Sequence, residues 1–117
     1  MTLDEAEFAT LADDVLGRLV LAIDAAAGDK LEADLRDGVL TIELESGGQY
    51  IVNKHTPTRE IWVSSPLTGA WHFAYDEKRG WVDTRARGVS KPITLHHMLE
   101  TELGEITDIA IRLGGHG

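Results

Sequence analysis

An α+β fold, with two helices packed on one face of a single antiparallel β-sheet, follows from three features of the chain. An opening stretch repeats its apolar residues at helical spacing, a middle stretch repeats them every second position, and a closing stretch returns to helical spacing. The turns inside the middle stretch are too short for crossover connections, so its strands run antiparallel. A sheet with one apolar face must cover that face, and two amphipathic helices are available to do so. The 117 residues fit one domain spanning 1–117, with 113–117 expected as a frayed tail.

Residues 4–26 read as the first helix. Phe8, Leu11, Ala12, Val15, Leu16, Leu19, Ile23 and Ala26 form one stripe, and Glu7, Asp13, Asp14 and Asp24 lie opposite. Asp13 and Asp24, about three turns apart, share a row. Leu21 falls on the polar side, a misfit. Thr2 or Asp4 is placed to cap the start, and Gly28 to end it.

From Leu31 the period drops to two. Leu31, Ala33 and Leu35 face one way, Asp37-Gly38 turns the chain, and Leu40, Ile42 and Leu44 follow inward. After Gly47-Gly48, Tyr50 and Val52 are the inner pair, and Thr56-Pro57-Thr58 leads onward. In REIWVSS, Ile61 and Val63 point inward, which sends Trp62 to the outer face. AWHFAY and WVDT, joined by DEKRG, make the fifth and sixth strands. Ser90 or Thr94 then opens a second helix with Ile93, Leu95, Met98, Leu99 and Leu103 apolar. Gly104 is expected to close it, and TDIAIRL to add a last short strand.

Charge narrows the functional classes. There are 20 acidic and 11 basic side chains, a net charge of −9, and no cysteine. Disulfides, thiolate metal sites and a cysteine nucleophile are excluded, and nucleic acid and anionic membranes are disfavoured as partners. No apolar run reaches the ~18 residues of a membrane span, and the acidic start MTLDEAEF does not look like a targeting segment. Residues 1–45 carry twelve acids against Arg18, Lys30 and Arg36, whereas residues 46–117 balance eight acids with eight bases. The whole net charge sits on one part of the molecule, where it attracts cations or basic surfaces.

Six segments together resemble the frataxin family: FATLADDVLGRL, DGVLTIEL (37–44), GGQYIVNKHTP (47–57), EIWVSSPLTG (60–69) and the weaker WVDT and ITLHHMLETEL. The resemblance covers Leu3 to about Leu113 and implies a helix–sheet–helix sandwich. It also implies an iron-binding accessory protein that docks on the cysteine desulfurase–scaffold complex of iron–sulfur cluster assembly. Its setting would be the bacterial cytoplasm, or the mitochondrial matrix for a processed eukaryotic form. The family's acidic ridge maps onto Asp13, Asp14, Asp24, Asp29, Glu32 and Asp34, which would bind Fe²⁺ or Fe³⁺ weakly at the surface. Exposed carboxylates suit hard cations but select poorly among them. Gly17, Leu21 and Ala25 stand where acids are frequent in the family, so the middle of the ridge is bald.

The family's docking face maps onto Asn53, His55, Glu60, Trp62, Ser64 and Pro66, with His55 and Glu60 departing from the usual glutamines. If the strands adjoin, His55 and Glu60 could instead form a small metal site. The pair His96 and Glu100, four apart on a helix, lacks a third ligand and the HExxH order. No catalytic triad is visible. Two other functions compete with the iron-binding regulator: a ferroxidase that stores iron by oligomerising with it, and a metal-independent adaptor. As a regulator the chain is expected to be a monomer.

Overall fold

The computed structural model describes residues 3–86 and 92–114; the expectations for Thr2, Ser90 and residues 115–117 lie outside them. Helix α1 (Glu5–Ala27) starts at Asp4, whose carboxylate accepts the Glu7 N–H at 2.8 Å while Glu7 reaches back to the Asp4 N–H. This capping box satisfies two donors that the first helical turn leaves open. Phe8, Ala12, Val15, Leu16, Leu19 and Ile23 are buried, as their spacing requires, and Leu21 is 73% exposed.

Six strands follow, β1 (Leu31–Arg36), β2 (Val39–Leu44), β3 (Gln49–His55), β4 (Glu60–Ser65), β5 (Gly69–Asp76) and β6 (Gly80–Asp83). Each pairs antiparallel with the next, so the sheet order is the chain order. Asp37 and Gly38 both take positive φ (51° and 76°), the backbone that a two-residue hairpin needs and that Asp-Gly tolerates. A short 3₁₀ turn at Thr56–Thr58 joins β3 to β4. Leu40, Ile42, Tyr50, Val52, Ile61, Val63 and Phe73 bury the inner face of the sheet against the helices. Trp81 sits at the far side of this core, edge-on to Phe8 (ring centroids 6.0 Å) and to Tyr75 (5.2 Å).

The C-terminal third departs from the sequence reading. Helix α2 (Leu95–Thr107) is capped by Thr94, whose hydroxyl accepts the His97 N–H, and Ile93 lies before it, partly exposed. The helix runs through Gly104 and ends at Asp108, which takes the left-handed conformation (φ 57°). Gly104 serves a different purpose: a Cβ there would stand 3.3 Å from the Ile109 carbonyl oxygen of the returning chain. The segment expected as a seventh strand pairs with no strand among the described residues. It lies along α2, burying Ile111 and Leu113, and the Leu113 N–H bonds the Glu100 carboxylate at 2.8 Å. Its alternating apolar residues therefore cover a helix instead of extending the sheet, and Leu113 is anchored where fraying was expected.

Candidate functional site

Two surfaces carry the candidate residues: the outer face of the sheet, and the edge where α1 meets β1. On the outer face the strand register sets Asn53, Trp62 and His72 side by side across β3, β4 and β5, with His55 opposite Glu60 in the next row. Trp62 is held between two imidazoles. His55 stacks on one side at a centroid distance of 3.6 Å and 10° between planes, and His72 on the other at 4.4 Å and 16°. The indole N–H donates to Glu60 Oε1 at 2.9 Å. The same oxygen accepts from the Thr58 hydroxyl at 3.1 Å, and His55 Nδ1 lies 2.9 Å from Thr58 Oγ1. Trp62 is thus on the solvent side, as alternation predicts, and half-buried by its own neighbours. Ser64 is on the same face, one row away, and Pro66 is exposed in the turn after β4. His55 and Glu60 do adjoin, but Thr58 bridges them, and no third acidic or histidine side chain completes a metal site among the described residues.

All six ridge carboxylates are exposed, and they separate into groups. Asp13 and Asp24 are eleven residues apart on one helix, about 16 Å along its axis, so no single ion touches both. Asp13 faces Asp37 across a shallow cleft and is engaged by Lys54, Nζ to Oδ1 2.9 Å. The inward alternation of Tyr50 and Val52 already carries Lys54 to this side of the sheet. Asp14 pairs with Arg18 and Asp34 with Arg36, both at 3.0 Å. Asp24, Asp29 and Glu32 have no ion pair among the described residues. They border an open cleft with Glu43 and Glu45, and Glu32 lies directly across the β1–β2 ladder from Glu43. No three acidic or histidine side chains among the described residues already converge on a point where one metal ion would sit. Among the described residues, the edge offers exposed, solvated carboxylates rather than a preformed cage.

One polar cluster escaped the sequence reading. Glu102 of α2 is 7% exposed and accepts hydrogen bonds from Tyr50 (2.7 Å), Ser65 (2.6 Å) and Thr68 (2.7 Å). Ser65 Oγ in turn accepts the Leu67 and Thr68 N–H groups, shaping the turn that holds Pro66, and Thr68 accepts the Trp71 indole N–H. Burial, and then the hydrogen bond to Glu102, push the Tyr50 hydroxyl far above its ordinary pKa. The signal was present in the sequence. Leu95, Met98, Leu99, Glu102 and Leu103 share one helical stripe, and a carboxylate in that stripe must find donors inside the protein. The other helix candidates resolve simply: His96 is buried, and Glu100 anchors the C-terminal segment.

Comparisons with known proteins agree with this architecture. The family model for the frataxin-like domain matches residues 1–109. An iron–sulfur cluster assembly protein CyaY of Ralstonia nicotianae is 42% identical over 88 residues, which cover 72% of this chain and 75% of the relative. Among solved structures, a frataxin from Psychromonas ingrahamii superposes with a TM-score of 0.80 over 97% of this chain and all of its own, at 20% identity, a likeness of fold alone. Trimeric yeast frataxin, in a crystal structure complexed with ferrous iron, superposes with a TM-score of 0.69 at 28% identity over 92% of this chain and 89% of its own. With two helices on a six-stranded antiparallel meander, and a family match that runs from the first residue past the end of α2, the chain belongs to the frataxin family.

Proposed function

We propose that this protein acts in iron–sulfur cluster assembly, as the name of its Ralstonia relative suggests, by docking on the cysteine desulfurase–scaffold complex and carrying iron weakly on its acidic edge. The observation that supports docking most strongly is Trp62. A large ring fixed in one orientation at the centre of an outer sheet face loses little conformational freedom on binding, and such aromatic anchors commonly contribute ~2 kcal/mol or more. Asn53, His55, Glu60, Ser64 and Pro66 surround it as the contact surface.

For iron, Asp13, Asp14, Asp24, Asp29, Glu32 and Asp34 supply oxygen ligands of the kind hard cations take. Lys54, Arg18 and Arg36 already occupy three of them. Asp24, Asp29 and Glu32, with Glu43 and Glu45 around the same cleft, are the first to take a cation. Weak, open coordination suits a protein that passes iron on, and it counts against iron storage with ferroxidase activity. Titration with Co²⁺ or anaerobic Fe²⁺ should perturb the NMR signals of Asp24, Asp29 and Glu32 before those of Asp13, Asp14 and Asp34. Binding should weaken with salt, because exposed charges are screened beyond ~8 Å at physiological ionic strength. Shifts confined to His96 and His97 would remove the acidic edge from the proposal. A chain that docks normally and takes up no iron would instead be a metal-independent adaptor.

A further inference from the structure

The two rings that hold Trp62 are both titratable, and the hydrogen bonds around them fix what titration does. The Thr58 hydroxyl donates its proton to the Glu60 carboxylate, so its oxygen can only accept from His55. His55 therefore carries its proton on Nδ1, and in the neutral ring Nε2 is a bare acceptor. Protonation turns that acceptor into a donor and puts a positive charge against the indole. His72 adds a second imidazole on the other face of the same ring.

Among the described residues the charged neighbours are few. β3 sets only His55 on this side of the stack, β4 contributes Glu60, and β5 contributes Asp76 at its end. Arg59, in the turn after the 3₁₀ segment, donates its guanidinium to the Thr56 carbonyl. Glu60 Oε1 already accepts from Trp62 and Thr58. Glu60 is the one carboxylate beside the stack, so two imidazolium rings buried under a partner would share a single counter-ion and leave one charge uncompensated, which is unfavourable.

We propose that the His55–Trp62–His72 stack makes docking pH-sensitive: the sheet face docks with both imidazoles neutral and is released as they protonate. The proposal rests on the docking function argued above. It gives a physical consequence to the histidines this chain carries there. Neutral rings are flat, uncharged platforms that each keep one acceptor nitrogen, Nε2 in the case of His55, whereas charged rings present two cations and no acceptor.

The test measures affinity of the full-length protein for a purified desulfurase–scaffold complex from about pH 8 to about pH 6. The proteins compared are wild type, the double variant His55→Gln/His72→Gln, and Trp62→Ala. Wild-type affinity should fall about tenfold across this range, since each ring that must be neutral imposes a tenfold loss per pH unit below its midpoint. The double variant should be far less sensitive, and the difference between the two curves removes any titration of the partner. In the free protein, the Trp62 indole N–H resonance should titrate with the histidines in wild type and stay flat in the double variant. Equal pH slopes for wild type and double variant would overturn the proposal, even if Trp62→Ala weakens binding as the docking function requires. Normal binding by Trp62→Ala would overturn the docking function itself, and the switch with it.

Discussion

The two faces of strands β3 to β5 are built from alternate residues of the same segments, yet they are held together by different means. Inward, Tyr50, Ser65 and Thr68 converge on Glu102, whose oxygens accept from three hydroxyls in a buried setting. Outward, His55, Trp62 and His72 lie plane against plane in contact with water, tied to the sheet by one carboxylate. A buried carboxylate tolerates no missing donor, so the inner cluster constrains the fold. A stack at the surface can lose a ring and let water in. Stability should therefore reside on the inner face and recognition on the outer one.

The largest expected effect is on the inner face. Glu102→Ala leaves the Tyr50, Ser65 and Thr68 hydroxyls without their acceptor and should cost about 3 kcal/mol of stability in denaturant unfolding. A loss below about 1 kcal/mol would mean that water replaces the carboxylate, and that the two faces differ less than the geometry implies. Trp62→Ala probes the opposite side. Docking should weaken at least tenfold, about 1.4 kcal/mol, while stability falls by no more than about 1 kcal/mol for the lost ring contacts. Outright unfolding of this variant would make the stack part of the core and erase the distinction.

Two pH effects sharpen the same contrast. The Tyr50 hydroxyl is raised above its unfolded-state value, so its contribution is fully present below about pH 10 and is lost as the pH rises beyond that. Tyr50→Phe should be less stable at neutral pH by about 1 kcal/mol and should show a shallower alkaline decline, read from thermal midpoints. The smallest effect belongs to Asp76, at the far end of β5. The backbone N–H groups of Lys78 and Arg79 hold its carboxyl below the usual range. A lowered carboxyl stabilises the fold above its unfolded pKa, and that contribution disappears as the pH falls through the folded value. Asp76→Asn should flatten the acid side of the stability profile slightly and leave docking at neutral pH unchanged.

Much of this was written in local pattern. The stripe from Phe8 to Ile23 and the alternation from Leu31 to Val63 decide which side chains meet the core, because a helix or strand fixes side-chain direction by spacing alone. Trp62 faces outward for that reason, and Asp37-Gly38 turns for an equally local one. The family pattern from Gly38 to Pro66 was legible in the same way. What spacing leaves open is which elements meet. Three ridge acids find cations, Asp13 with Lys54 at a distance of 41 residues, and the other three border a cleft shared with β2. Gly104 looked like a stop until the chain beyond it folded back within 3.3 Å. Ile111 and Leu113 alternate like a strand but bury against α2, since burial of apolar area rewards any apolar partner. Glu102 meets Tyr50 across 52 residues and Ser65 across 37. Residue type and spacing were enough to set the elements, their inner faces and the ring on the outer one. Which charges are paired and what holds that ring depend on contacts between residues that meet only when the whole sheet has closed under its helices.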